Sequence, residues 1–307
     1  MQQLTVKSFG SVKAWIQASR PFSFTASMTP IFLGATLVPF LRVSARWELM
    51  PLIAIASLLL HAATNMISEY FDYQKGVDRV DTYGGSRVIV DGLLSPKQVF
   101  WGSVILFVST LCIGLVFVVI HGWPILLLGL IGILGGVFYT ATPVGYKYLG
   151  LGDLLVFILM GPLMVIGSFY VLTGTFQYKV LWISLPIGFL VAAILSANNL
   201  RDVLHDTQAG IKSTASVLGF RWARLEYSML VLGAYITTLI MMAFGILPLW
   251  SLLTLLLIPL AVKNIKAALS SVSDKPETIA ALDIQTAQVH LLFGILLMIS
   301  VLLGAFL

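Results

Sequence analysis

The sequence predicts an all-α integral membrane protein of nine transmembrane helices. Three observations predict it. Of 307 residues, 59% are hydrophobic and only 10% charged, where soluble chains carry about 25%. The apolar residues gather into nine runs, each close to the roughly 20 residues that a spanning helix needs. The segments joining these runs alternate between basic and base-poor, as the positive-inside rule expects of a multi-spanning chain.

The elements follow in order. In residues 9–19, Val12, Trp15, Ile16 and Ser19 share one helical face and Lys13 lies on another. This predicts a short helix at the inner interface, within an N-terminal interfacial segment 1–21. The run 22–41 follows a polar start and has no small-residue cleavage site, so it reads as a first span rather than a signal peptide. Spans 50–71 and 99–120 are separated by a polar loop ending at Pro96. The fourth span, 123–141, follows Gly122-Trp-Pro124 with almost no outer loop, which makes spans three and four a hairpin. Thr142-Pro143 closes it. Span 152–173 stops at Gly174, and 180–199, 227–246, 248–267 and 287–307 follow, punctuated by Pro248 and Pro276. Residues 1–307 form a single transmembrane domain. The one cysteine, Cys112, lies in an apolar run, reads as filler, and permits no intrachain disulfide.

An N-terminus in the cytoplasm puts 15 of the 18 Lys and Arg, Lys7 included, on inner segments, and leaves only Arg42, Arg46 and Lys179 outside. The expected location is a bacterial or archaeal cytoplasmic membrane. The net charge of +5 then reflects inner loops and anionic lipid or substrate, not nucleic acid. Twelve of the 13 acids also fall inside, although Asp and Glu have little say in topology. Solvated loops account for Asp274, Glu277 and Glu226. They do not account for two clusters at the ends of apolar helices, where ionised groups are expensive.

The first cluster is Asn65-Met-Ile-Ser68-Glu69-Tyr-Phe-Asp72, continuing to Lys75-Gly76-Val-Asp78. Asn65, Glu69 and Asp72 stand at i, i+4 and i+7 on one helical stripe. Asp78 falls on another face unless the backbone breaks, and Gly76 permits that break. In the second cluster Asn198, Asp202 and Asp206 stand at i, i+4 and i+8, again one stripe. Four carboxylates held close repel one another, so a cation belongs among them. Mg²⁺ fits, because it prefers oxygen and uses one or two carboxylates plus substrate phosphates. Asp72, Asp78, Asp202, Asp206, Glu69 and Asn198 are the candidate ligands. Zinc does not fit: His61, His121, His205 and His290 are scattered, and only His205 lies near a cluster. Arg20, Lys75, Arg79, Arg87, Lys147, Arg201 and Lys212 surround the clusters or start and end other inner segments, with Asn65 and Ser68 as polar neighbours. Metal with Arg and Lys clamps a diphosphate and neutralises it as it leaves. The clusters are 133 residues apart from Asn65 to Asn198, as in a four-helix repeat, though no other repeat is visible.

These residues resemble the UbiA superfamily of membrane prenyltransferases. Asn198-x3-Asp202-x3-Asp206 with Gly210-Ile-Lys212-Ser-Thr214 is similar to the family's second aspartate-rich motif, and Asp72-x5-Asp78 to a form of its first. Tyr70-Phe-Asp72-Tyr-Gln-Lys75-Gly76-Val-Asp78, Gly92-Leu-Leu-Ser-Pro96, Tyr139-Thr-Ala-Thr-Pro143, Tyr148-Leu-Gly-Leu-Gly-Asp153 and Asn198-Asn-Leu-Arg-Asp202 resemble the menaquinone branch, the 1,4-dihydroxy-2-naphthoate polyprenyltransferases. Two departures stand out: Ser68-Glu69 replaces the usual Asn-Asp, and Gly76 replaces the usual aspartate. The Gly210–Thr214 tail is closer to the 4-hydroxybenzoate branch, which leaves the acceptor open.

The resemblance implies nine helices in a ring around a central cavity, with the site on inner loops 72–98 and 200–226. It implies transfer of a polyprenyl group from an allylic diphosphate, ionised with the help of Mg²⁺, to an aromatic acceptor. Asp72, Asp78, Asp202 and Asp206 would be catalytic, with the bases holding the diphosphate. Tyr139 and Tyr146 could face the allylic cation. Asp153 reads first as a helix N-terminal residue and second as an acceptor-side group. The competing class is a secondary transporter, whose site would lie at the midplane in broken helices. A CDP-alcohol phosphotransferase is excluded by the missing D-x2-D-G-x2-A-R pattern.

Overall fold

A computed structural model describes residues 11–79, 85–208 and 210–307. Lys7 and the first two residues of the expected interfacial helix lie outside them. The helices are α1 (Val12–Ser19), α2 (Thr25–Phe40), α3 (Met50–Gln74), α4 (Pro96–His121), α5 (Trp123–Val137), α6 (Gly152–Ile158), α7 (Met164–Thr173), α8 (Tyr178–Gln208), α9 (Thr214–Leu218), α10 (Phe220–Ala243), α11 (Ile258–Ser270) and α12 (Leu282–Phe306). The chain is an all-α integral membrane protein. Among the described residues, eight helical stretches are long and apolar enough to cross a membrane. The expected fourth span is the exception. It stops at Val137, and its 15 residues rise only about 22 Å, against a hydrocarbon core of about 30 Å.

Local chemistry sets the helix ends. At α4 the Ser95 hydroxyl accepts from the Gln98 amide while Gln98 Oε1 accepts from the Ser95 amide at 2.8 Å, a capping box. Pro96 fills the first turn, where no amide is needed. Gly122, at φ +76°, ends α4 in a conformation that costs other residues dearly. The span Gly152–Thr173 is not one regular helix: α6 and α7 join through a π-helical turn, Leu159–Leu163, containing Pro162. Proline has no amide to donate, and a wider turn absorbs that loss.

Lipid gives apolar helices no hydrophobic reason to associate, so close packing and interhelical hydrogen bonds must hold them. Gly161 sits directly on Gly188 of α8, and a Cβ on Gly34 would come within 2.7 Å of the Val165 carbonyl. Beside that contact Ser168 Oγ donates to the Ile31 carbonyl at 2.8 Å. Such bonds are worth about 0.6 kcal/mol each. The outer faces are apolar, as at Trp101, Ile105 and Val119 of α4.

Helix α1 lies against α3 with Ala14 and Ala18 buried, while Val12 and Ile16 stay exposed. The expected face is therefore divided: Trp15 packs on Gly102 and its two aliphatic neighbours point away. The bundle encloses a cavity of about 680 Å³ lined by residues of α2, α3, α4, α5, the span Gly152–Thr173, α8 and α12.

Candidate active site

One end of this cavity is polar. It brings together Arg20, Asn65, Ser68, Asp72, Asp78, Tyr139, Lys147, Asn198, Arg201, Asp202 and Asp206. The remainder is lined by residues such as Ile53, Leu60, Leu115, Ile133, Leu163 and Met164. The expected residues Glu69, Lys75, Arg79, Arg87 and Lys212 are not among those lining the cavity. Lys75 donates to the Thr140 carbonyl at 3.4 Å and lies 3.7 Å from the Tyr148 ring centre. Arg79 donates to the Gly76 carbonyl, Arg87 pairs with Asp91, and Lys212 pairs by its backbone with Leu149.

At the first cluster, α3 ends at Gln74 and Gly76 takes φ +69°. This break turns the chain back, so that the Val77 and Asp78 amides both donate to the Asp72 carbonyl. Asp72 is buried and fully engaged. Lys147 Nζ donates to both its oxygens at 2.9 and 2.8 Å, Tyr148 donates at 2.7 Å and Ser68 at 3.0 Å. Burial pulls the Lys147 ammonium down, but the Asp72 carboxylate outweighs it and holds Lys147 above its usual value. Glu69 accepts from Arg20 at 2.7 Å and from the Ser86 amide at 2.8 Å. Asp78 differs: its buried Oδ2 has no partner among the described residues, nor has Glu69 Oε1. Burial and then the Asp72 charge push the Asp78 carboxyl up to about 6. Both carboxylates crowd Gly85, where a Cβ would fall 2.8 Å from Asp78 Oδ2 and 3.3 Å from Glu69 Oε2.

The second cluster lies on one unbroken helix. Helix α8 runs on to Gln208, nine residues beyond the end of the expected span at 199, so Asn198, Asp202 and Asp206 share a stripe with no loop between them. Arg201 grips Asp202 with two bonds of 2.8 Å, reaches Asn198 Oδ1 at 2.9 Å, and holds Asp283 at the start of α12 at 2.9 Å. Asp153 stands in the first turn of α6 and is buried, accepting from Asn199 at 3.0 Å. Glu226 is not a solvated loop residue: it sits on α10 with Oε2 buried and unpartnered.

Three groups escaped sequence reasoning: Tyr148 as a partner of Asp72, Asp283 as a partner of Arg201, and His61 on the cavity wall. Only Asp283 left a trace, as an acid at the start of an apolar helix. Tyr139 and Tyr146 lie edge to face at 5.4 Å, with Tyr146 donating to the Gly135 carbonyl.

The magnesium that the resemblance implies can be tested against this donor set. The clusters offer only oxygen ligands, and two buried carboxylate oxygens have no partner among the described residues. Among the described residues no three acids, imidazoles or thiolates converge tightly enough to cage a metal. Mg²⁺ fits such a site, since it keeps waters and few protein ligands. Five acids on the wall, Asp72, Asp78, Asp202, Asp206 and Asp283, face three bases, Arg20, Lys147 and Arg201. An anion entering so acidic a place needs cations with it. The transporter alternative loses ground, because the acids cluster at one end of the cavity rather than in broken mid-helices.

Comparison with known proteins places the chain in a family. Residues 27–278 match the model of the UbiA prenyltransferase family. The chain is 29% identical over 290 residues to 1,4-dihydroxy-2-naphthoate octaprenyltransferase of Bacillus subtilis (strain 168), covering 94% of this chain and 92% of that one. It is 30% identical to the UbiA prenyltransferase domain-containing protein 1 of Homo sapiens, over 95% of this chain and 84% of that one. The fold resembles the apo structure of a UbiA homolog from Aeropyrum pernix K1, with TM-score 0.63 and 18% identity over 87% of this chain and 96% of that one. It also resembles a UbiA homolog from Archaeoglobus fulgidus bound to GPP and Mg2+, with TM-score 0.56 and 16% identity over 93% and 99% of the two chains.

Proposed function

Because the chain belongs to the UbiA prenyltransferase family, and is thus a transferase of prenyl groups, we propose that it moves a polyprenyl group from an allylic diphosphate to 1,4-dihydroxy-2-naphthoate with the help of Mg²⁺. One observation carries this reading: an acid-rich polar end opens into a long apolar cavity, which matches a diphosphate joined to a hydrocarbon tail. The acceptor follows the Bacillus subtilis relative, which aligns over nearly the whole of both chains. Residues 1–307 act as one domain, and the polar end faces the cytoplasm, where 15 of 18 Lys and Arg fall.

Asp72, Asp78, Asp202 and Asp206, with Glu69 and Asn198, are the residues that would hold Mg²⁺. When bound, the ion neutralises charge that develops on the departing diphosphate. Arg20 Nε is buried with no partner among the described residues and has a donor ready for a diphosphate oxygen. Lys147 and Arg201 hold the leading carboxylates now and turn to the diphosphate when it binds. The Tyr139 ring, on the wall beside Lys147, offers its face to the cation left on the prenyl carbon. The apolar wall keeps water from that carbon until the ring of the acceptor reaches it.

Purified protein incubated with Mg²⁺, a radiolabelled prenyl diphosphate and either dihydroxynaphthoate or 4-hydroxybenzoate tests the reading. Prenylated dihydroxynaphthoate is the expected product. Absence of prenylated product with any aromatic acceptor sinks the function, and product only from 4-hydroxybenzoate moves the acceptor to the other branch.

A further inference from the structure

His61 lies on the cavity wall, 11 residues before Asp72 and eight before Glu69 on α3, or about 16 and 12 Å along the helix from them. That offset leaves room for a diphosphate and then an aromatic ring. The imidazole is held between two hydroxyls of the α2 side, with Nδ1 at 2.9 Å from Ser27 Oγ and Nε2 at 3.2 Å from Ser23 Oγ. Ser23 also faces the Arg20 carbonyl at 2.8 Å, Ser27 the Phe24 carbonyl at 3.1 Å. Asn65 Nδ2 donates to Ser23 Oγ at 3.1 Å.

Four links join Ser23, Ser27, His61 and the two carbonyls, and each needs one hydrogen. The two hydroxyls and a neutral imidazole supply three. One link is always bare, and one added proton would complete all four. The network is therefore a proton acceptor built into the wall of the cavity, with Ser23 itself on that wall.

We propose that Ser23 and His61 receive the hydroxyl proton of the aromatic acceptor during transfer, a role that rests on the acceptor being a hydroxylated ring. The acceptor hydroxyl gives its proton to Ser23 Oγ as Ser23 gives its own to His61 Nε2. The phenolate pushes its electron pair to the ring carbon, which bonds to the prenyl carbon as the C–O bond to diphosphate breaks. When the displaced group is a carboxylate it leaves as CO₂; its bonding pair restores the phenolate, which takes the proton back. When it is hydrogen, it leaves as a proton to solvent. No oxidant is needed, and the charge parked on His61 is temporary.

The test compares wild type with His61→Gln, which keeps a hydrogen-bond donor and acceptor but cannot take the proton. With a hydroxylated acceptor, His61→Gln should lower kcat by about 10²-fold, the scale of general-base catalysis, while the KM for prenyl diphosphate is unchanged. With the same acceptor methylated on its hydroxyl, the two proteins should react at the same slow rate. Wild-type kcat in His61→Gln, or an equal deficit with the methylated acceptor, overturns the proposal and leaves the transferase reading intact. No product from wild type with any aromatic acceptor overturns both. His61→Asn serves as the second variant should the glutamine form fail to bind prenyl diphosphate, and the same deficit is expected of it.

Discussion

Asp72 and Lys147 show how tightly single residues are matched here. Lys147 lies within 2.9 Å of both carboxylate oxygens of a buried Asp72, so removing either partner strands a charge in a dry place. Breaking such a pair costs about 3–5 kcal/mol. Lys147→Met should lower the melting temperature in detergent, whereas the double change with Asp72→Leu should recover much of it; both should lack transfer activity. Gly85 is a sharper case. A methyl group there meets the Asp78 and Glu69 carboxylates at a backbone angle of φ +81°. Gly85→Ala should raise the Mg²⁺ concentration needed for half-maximal activity, and an unchanged Mg²⁺ requirement would remove Asp78 from the site.

At the scale of elements, legibility followed periodicity. Asn198, Asp202 and Asp206 could be placed on one stripe because a regular helix carries them. The turn at Gly76 could be anticipated because glycine marked it. Contacts between elements could not. Lys147 and Tyr148 reach Asp72 from a 3₁₀ turn some 75 residues away, and no local pattern encodes that meeting. His61 belonged to no local pattern, and its partners Ser23 and Ser27 come from the turn before α2 and from α2 itself. The fourth span was drawn four residues too long because hydropathy continued through Phe138 to Ala141 after the helix had ended at Val137. The Ser95 capping box gives a clean element-level test. Ser95→Ala should cost about 1 kcal/mol, read as a lower melting temperature, with kcat retained because α4 carries no acid of the site.

For the whole molecule, composition alone established the membrane class, and the charge of the loops predicts an orientation. In a Cys112→Ser background, cysteine placed at Asp274 should react with a membrane-impermeant maleimide only from the cytoplasmic face. Cysteine at Lys179 should react only from outside. The reverse pattern would put the polar mouth on the other side and with it the source of both substrates.

The two bases resting on Asp72 and Asp202 have a consequence for how ligands assist each other. On the proposed site, a lone divalent ion that takes both oxygens of Asp72 would displace Lys147 from its nearest counter-charge, and one that takes Asp202 would leave Arg201 only Asp283, so its affinity by itself would be poor. A diphosphate arriving with the ion gives each displaced base a new anion to hold. Free energy of this kind is shared equally: whatever factor the diphosphate adds to metal affinity, the metal returns to diphosphate affinity. Titration calorimetry with Mg²⁺ alone, with a non-hydrolysable prenyl thiolodiphosphate alone, and with both should give matching factors in the two directions. The enzyme would then be a device that ignores stray cations and registers only the pair.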